Sequence, residues 1–446
     1  MKRCSDKSAY IFIMLFFLLS FPIISFSQQY WNPQQSPASK SLHRSSFPDS
    51  VHGWVSGDSG IIIHTSNGGN SWSIQQTGIN SNIYDIFFMN SLKGWAVAND
   101  VSYNSTLVLK TTNGGENWTS YFFPDTNNII MAIYFLDTLK GFMGGFNGIV
   151  YTTTNGGESW FVNSTLTGNC SSSAIRRFIF HNPNYGYASG GIIDLAGAVW
   201  KTTDGGLNWI AQCVAPEPIY DIKFADSLFV LAMGGDVEYG MSRLYTVNAG
   251  VNWLYEELGF FGFVESFSFR TQDELWASGG FSLRLAVSTN RGLNWLDVPA
   301  PDSNAINEIN FLSPTLGWAF GNRGAIYKYN TAVIGIKEIE SEVPADFKLY
   351  QNYPNPFNAK TKIKFEIRPP LNPLLSKEGK TRFIGTGVVL KIYDILGCEI
   401  TTLINQELSP GTYEAEWNGT NYASGLYYYK ITAGVYSETK KMVLIK

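Results

Sequence analysis

The chain is short of charge and of the residues that carry most metal and nucleophile chemistry. Only 15% of its 446 residues are charged and the net charge is −4, which leaves no basic footprint for nucleic acid. The four histidines, His43, His52, His64 and His181, are scattered. They form no HExxH motif and no orderable Ser/His/Asp set. The four cysteines include no CxxC pair, so neither a thiolate metal site nor any cofactor is expected. The apolar run at 9–19 is too short to span a bilayer and is followed by Pro22. It sits behind Lys2, Arg3 and Lys7 and ahead of Ser25-Phe26-Ser27, so residues 1–27 read as a secretory signal peptide. In an exported chain Cys170 and Cys213 are available to pair, with Cys398 left over; the sequence leaves that pairing open.

Aromatic residues (15%) and 43 glycines are abundant, a turn-rich β composition. Six copies of one turn motif run through 65–295: TSNGGNSW, TTNGGENW, TTNGGESW, TTDGGLNW, TVNAGVNW and STNRGLNW. Their tryptophans, Trp72, Trp118, Trp160, Trp209, Trp253 and Trp295, stand 46, 42, 49, 44 and 42 residues apart. A period in the forties with one turn per copy predicts the blades of a β-propeller. Asn67, Asn113, Asn155, Asp204, Asn248 and Asn290 can accept backbone N–H groups just ahead of them, so the motif is read as structural.

A second ladder precedes the turns. Phe47, Phe88, Phe135, Phe180, Phe224, Phe269 and Phe311 are each followed seven residues later by a bulky apolar residue. Each unit therefore reads as strand a, strand b, strand c, turn, strand d. There are seven starts but six turns, because the last unit (306–331) stops after strand c. The N-terminal YWNPQQSP and the strand SWSIQQTG after the first turn share W-x-x-Q-Q-[ST]. We therefore expect an all-β chain whose seven-bladed propeller, at 28–332, is closed by the N-terminal strand, which removes two sheet edges.

Strand a is innermost in a propeller, so equivalent positions on it define rings at one mouth of the channel. Three residues before each phenylalanine lie Arg44, Asp85, Ala132, Arg177, Asp221, Ser266 and Glu308; four before lie His43, Tyr84, Met131, Arg176, Tyr220, Glu265 and Asn307. One reading is a solvated channel whose charges cancel. The other is a pocket for a glycan, peptide or small anion, with Arg44, Arg176 and Arg177 as donors, Tyr84 and Tyr220 as stacking surfaces, and Asp85, Asp221 and Glu308 beside them. Asp236 and Glu238 in GGDVEYG are two acids in a loop and read as solvated, so no metal site is assigned.

The repeated turns are close to the Asp box, and with the preceding GWAVA-type strand residues 29–331 resemble the BNR-like propellers related to photosystem II stability and assembly factors. That resemblance implies fold rather than function, and a photosystem role is not carried over. Sialidases share the box, but an Arg-Ile-Pro element ahead of the first copy is absent. Two-propeller endoglucanases place paired carboxylates across a cleft, whereas this chain supplies one propeller. The expected role is a non-catalytic ligand-binding or scaffolding propeller, with a secreted carbohydrate-active hydrolase as the alternative. A monomer is expected.

Composition shifts after Thr331. Residues 333–346 read as a linker, and 347–446 as alternating strands of a small Ig-like β-sandwich. The segments YPNPFN (353–358), VLKIYDILG (389–397), GTY (411–413), WNG (417–419), ASGLYY (423–428) and the basic-apolar end at 440–446 resemble the type A C-terminal sorting domain of the Por (type IX) secretion system. This implies the type IX machinery as partner and a destination at the outer cell surface or outside. The stretch 369–387 departs from the pattern and reads as a loop insertion.

Overall fold

The computed structural model describes residues 30–99, 105–163, 166–330, 337–340, 346–368, 374–375, 381–382, 386–408, 411–420, 422–434 and 436–446. The expected leader at 1–27 lies outside them, as do 333–336 and 341–345 and most of 369–387. Between Trp31 and Tyr329 the chain forms seven sheets. We number them as blades 1 (42–75), 2 (82–122), 3 (130–162), 4 (166–215), 5 (219–257), 6 (267–299) and 7 (306–329).

Strand b is buried along its whole length in five of the seven blades, as in Gly94–Asn99 and Val230–Asp236, and at all but one end residue in blades 4 and 7. A strand covered on both faces reads as a continuous small or apolar run rather than an alternation. Where strand b opens on a glycine, as in blades 1 to 4, that glycine is set by the phenylalanine ladder. A Cβ on Gly94 would lie 2.5 Å from the Phe88 ring, and one on Gly141 would lie 2.6 Å from Phe135.

The six turn motifs share one hydrogen-bond set. The Thr or Ser hydroxyl donates to the Asn or Asp Oδ1 two residues on, at 2.9–3.1 Å. The same hydroxyl accepts the N–H of the glycine four residues on, at 2.8–3.0 Å. The Oδ1 in turn accepts the N–H four residues beyond it, at 2.8–3.0 Å.

These turns also join neighbouring blades. The strand-b aromatic of one blade lies against the turn of the next: Trp54 Nε1 donates to Gly114 O (3.1 Å) and Trp95 Nε1 to Gly156 O (3.0 Å). A Cβ on Gly206 would meet Phe142 at 2.4 Å, and one on Gly69 would meet Trp318 at 2.1 Å, across the seam between blades 7 and 1. Blade 7 has no turn motif to receive Trp276 of blade 6. There the N-terminal strand Trp31–Pro33 pairs antiparallel with Ile326–Tyr329, with Trp31 opposite Tyr329. Trp31 packs edge-on against Trp276 at 5.6 Å. One short strand thus completes the ring and fills the place of the absent turn.

Blade 4 carries a fifth strand, Leu166–Gly168, which runs parallel to Trp209–Ala215. Cys170 and Cys213 are joined by a disulfide beside it. This addition accounts for the 49-residue interval, the longest between successive turn tryptophans. The C-terminal region forms two four-stranded sheets around a core that includes Phe365, Ile392, Trp417 and Tyr429. Lys337–Glu340, inside the segment read as linker, pairs with Gly411–Asn418 as an edge strand. Within the insertion, Leu374–Leu375 pairs with Thr381–Arg382.

Candidate functional site

Strand a begins with a β-bulge in six of the seven blades. The pairing register slips between Leu42 and Ser45, Ile83 and Asp85, Ile130 and Ala132, Ile175 and Arg177, Ile219 and Asp221, and Ile306 and Glu308. In five of them the extra residue is the one four before the phenylalanine: Tyr84, Met131, Arg176, Tyr220 or Asn307. A bulge leaves that residue out of the ladder and re-aims it. Strict alternation would place the two predicted rings on opposite faces of each sheet; the bulge makes them two separate layers at the mouth.

The inner layer pairs its charges internally, although Arg177 Nε, like Arg176 Nε, makes no hydrogen bond. Arg177 of blade 4 meets Glu308 of blade 7 (Nη2–Oε2, 2.9 Å), Asp221 of blade 5 (Nε–Oδ1, 3.4 Å) and Asp85 of blade 2 (Nη1–Oδ1, 3.7 Å). One guanidinium reaching three other blades shows that the strands a converge on the ring axis. Arg44 adds a second cation on Glu308 at 3.1 Å, and Lys223 a third on Asp221 at 3.2 Å. The carboxylates also cap the next strand: Asp85 Oδ2 accepts the Ile133 N–H, and Asp221 Oδ2 the Phe267 N–H. Ser266 Oγ accepts the Ile309 N–H in the same way. Three cations face three anions in a buried cluster.

The charges in it respond differently. Burial pushes the Asp85 carboxyl up to about 6, because Arg177 and two backbone N–H groups only partly offset the loss of water. Burial also acts against Asp221, yet Lys223, Arg177 and Arg44 together hold its carboxyl below the usual range. Arg177 loses solvation too, but Glu308, Asp221 and Asp85 raise its pKa above the ordinary guanidinium value.

The outer layer is arranged otherwise. His43 Nε2 lies 2.7 Å from Asp58 and its ring stacks on Tyr84 at 6.3 Å. Asn307 Nδ2 donates to Leu42 O and Asn322 Oδ1. Arg176 lies over the ring of Tyr220, 4.7 Å from guanidinium carbon to centroid. Among the described residues it forms no ion pair, and its buried Nε finds no acceptor. Burial lowers its pKa, against smaller opposing pulls from Tyr220 and Glu265. The structure therefore brings all eight predicted mouth residues to one end of the ring and divides them. Arg44, Asp85, Arg177, Asp221 and Glu308 neutralise one another, while Tyr84, Arg176 and Tyr220 lie in the outer layer.

Sequence alignment of the strands missed Lys223 and Phe263. Lys223 sits one residue before the aligned Phe224, outside both rings. Phe263, from the loop before blade 6, stacks on Tyr220 at 4.7 Å; only the loop's own aromatic content hinted at it. Asp236 is buried at a turn, where its Oδ1 accepts the N–H groups of Glu238 and Tyr239. No group of metal-binding side chains occurs among the described residues. A groove of about 550 Å³ near His52, His64, Gln75 and Asn113 lies between the turns of blades 1 and 2, remote from the mouth.

Comparison with known proteins accords with this architecture. The family model for photosynthesis system II assembly factor YCF48 matches residues 23–124 and 74–243, and that for a secretion system C-terminal sorting domain matches 351–446. The chain joins a YCF48-type propeller to a secretion sorting domain. The photosystem II assembly lipoprotein Ycf48 of Nostoc sp. (strain PCC 7120 / SAG 25.82 / UTEX 2576) is 28% identical, over 30% of this chain and 52% of its own length. The chain thus spans about half the length of the curated relatives it matches. Among solved structures, YCF48 bound to D1 peptide has a TM-score of 0.53 at 20% identity, covering 67% of this chain and 96% of that one. YCF48 from Cyanidioschyzon merolae gives 0.54 at 17%, covering 68% and 98%. The WD40 repeats of RRP9 give 0.51 at 14%, covering 66% and 98%. At these identities the likeness concerns the fold. The sorting domain makes this a chain exported by the type IX system to the cell surface or beyond.

Proposed function

We propose that the chain is a non-catalytic binding propeller (28–332), exported behind a leader at 1–27 and a sorting domain at 347–446, which takes a carboxylate-bearing peptide at the channel mouth. The observation that carries this is Arg176. Its guanidinium is half-buried, stacked on Tyr220 and in no ion pair among the described residues, while its sequence neighbour Arg177 is surrounded by three carboxylates. A planar cation held against an aromatic face is suited to a carboxylate whose own chain lies along that face. A peptide bound to one of the similar propellers supports the ligand class. The inner carboxylates are engaged by backbone N–H groups and cations, an arrangement that favours binding over acid–base work.

The test is a screen of the full-length chain against an array of acidic and neutral peptides, repeated with Arg176→Ala. Acidic peptides should be retained by the parent and weakened about tenfold or more by the variant. Retention of the same peptides with unchanged affinity by Arg176→Ala would refute the assignment.

A further inference from the structure

The mouth does not end at Tyr220. From Arg176 a continuous file of aromatic rings leads outward across blades 5 and 6. Tyr220 stacks on Phe263 at 4.7 Å; Phe263 meets Phe281 at 5.3 Å and 53°; Phe281 meets Phe261 edge-on at 5.8 Å and 87°. Exposure rises along the file. Tyr220 is buried, Phe263 is partly covered, Phe281 is 46% exposed and Phe261 is 65% exposed.

Four aromatic residues leading to solvent from a cation are not needed for the propeller core, whose clusters do not include Phe261, Phe263 or Phe281. The loop that carries two of them is fixed. Met241 N donates to Phe260 O (2.8 Å), Leu258 N to Met241 O (2.8 Å) and Val264 N to Gly234 O (3.1 Å). Gly262, at φ 101°, lies so close to blade 6 that a Cβ there would be 2.7 Å from Ser282 Cβ. Exposed rings on a pinned loop lose little entropy when a partner covers them.

We propose that this file is the specificity element of the mouth, selecting peptides in which a carboxylate is followed by large apolar side chains. It rests on the binding role proposed for Arg176 and adds the chemistry of the rest of the ligand. Charge complementarity sets one end, because the unpaired guanidinium takes an anion. The rings set the other. Their planes are tilted at 53° and 87° to one another, so they form a ridged apolar surface with gaps for branched or aromatic side chains. The ligand that satisfies both ends is an extended acidic-apolar peptide, with its anion at Arg176 and apolar residues over Phe263, Phe281 and Phe261.

The experiment uses the full-length chain and two labelled peptides. One carries two glutamates followed by leucine and phenylalanine; the other has serines in place of the apolar pair. Parent chain should bind the first about tenfold more tightly. Phe261→Ser with Phe281→Ser, both exposed and so tolerated by the fold, should bring the first peptide down to the affinity of the second and leave the second unchanged. Arg176→Ala should weaken both. Equal affinities of the two peptides for the parent, or an unchanged preference in the double variant, would overturn the apolar selection while leaving the Arg176 reading standing. Failure of both peptides to bind the parent would overturn both. Binding of a neutral oligosaccharide that the double variant abolishes would replace the peptide with a glycan.

Discussion

Arg176 and Arg177 are consecutive residues of one strand with opposite fates. Arg177 lies in the inner layer among Glu308, Asp221 and Asp85, drawn from three other blades. Arg176 occupies the bulge, lies on Tyr220 and makes no ion pair among the described residues. The inner layer ties blades 1, 2, 4, 5 and 7 together through ion pairs; in the proposed role the outer one offers a cation to the ligand. The difference teaches that a mixed-charge ring need not be either a pocket or a neutral lining. A bulge can divide it into one layer of each.

The sharpest way to break this comparison is Arg177→Ala. It leaves buried Asp85 without its ion-pair partner and leaves Asp221 and Glu308 with one cation each, Lys223 and Arg44; a buried charge left without its partner costs about 3–5 kcal/mol. Denaturant unfolding should show a loss of that size, and a loss below about 1 kcal/mol would mean the inner layer is not structural.

The two aspartates sharpen the comparison through pH. Asp85 has its folded carboxyl raised to about 6, above the unfolded value. Between about pH 4 and pH 6 the folded chain holds a proton that the unfolded chain has released. Its contribution to stability therefore falls as pH rises through that window, by on the order of 3 kcal/mol. Asp221 is lowered, so its contribution is present above its unfolded value and fades as pH falls. Stability curves for Asp85→Asn should lack the decline between pH 4 and 7 that the parent shows. Parallel curves for parent and variant would contradict the raised carboxyl.

A reference far from the mouth is Asn155→Ala, which removes the acceptor for Ser159 N–H and the Thr153 hydroxyl. The expected cost is about 1–2 kcal/mol, measured as a shift in the unfolding midpoint with no change in peptide binding. The smallest effect on stability belongs to Arg176→Ala. It loses the stacking on Tyr220 but no ion pair, so stability should fall by about 1 kcal/mol or less, while peptide binding falls. A large destabilisation in that variant would erase the distinction between the two arginines.

Much of the ring was legible before any coordinates. Turn residues act through neighbours two and four positions away, so six local motifs announced six turns of one geometry. The repeated W-x-x-Q-Q placed Trp31 where Trp72-like residues sit, and the pairing of Trp31 with Tyr329 agrees. The bulge was not legible, because one inserted residue changes side-chain direction without altering composition or period. Nor was the contact of Trp54 or Trp95 with the following blade's turn: the ladders were read within each unit, and the packing that joins them lies between units. The Cys170–Cys213 bond stayed open for the same reason, since it depends on a fifth strand in blade 4 that no turn motif marks.

By itself, the sequence determined the repeat, the turns, the β class and the export domain, because each depends on residues close together in the chain. Which arginine enters ion pairs, and which forms none among the described residues, depends on how the blades close round the axis. Glu308 stands 131 residues from Arg177, and ring closure is what brings their charges within 3 Å.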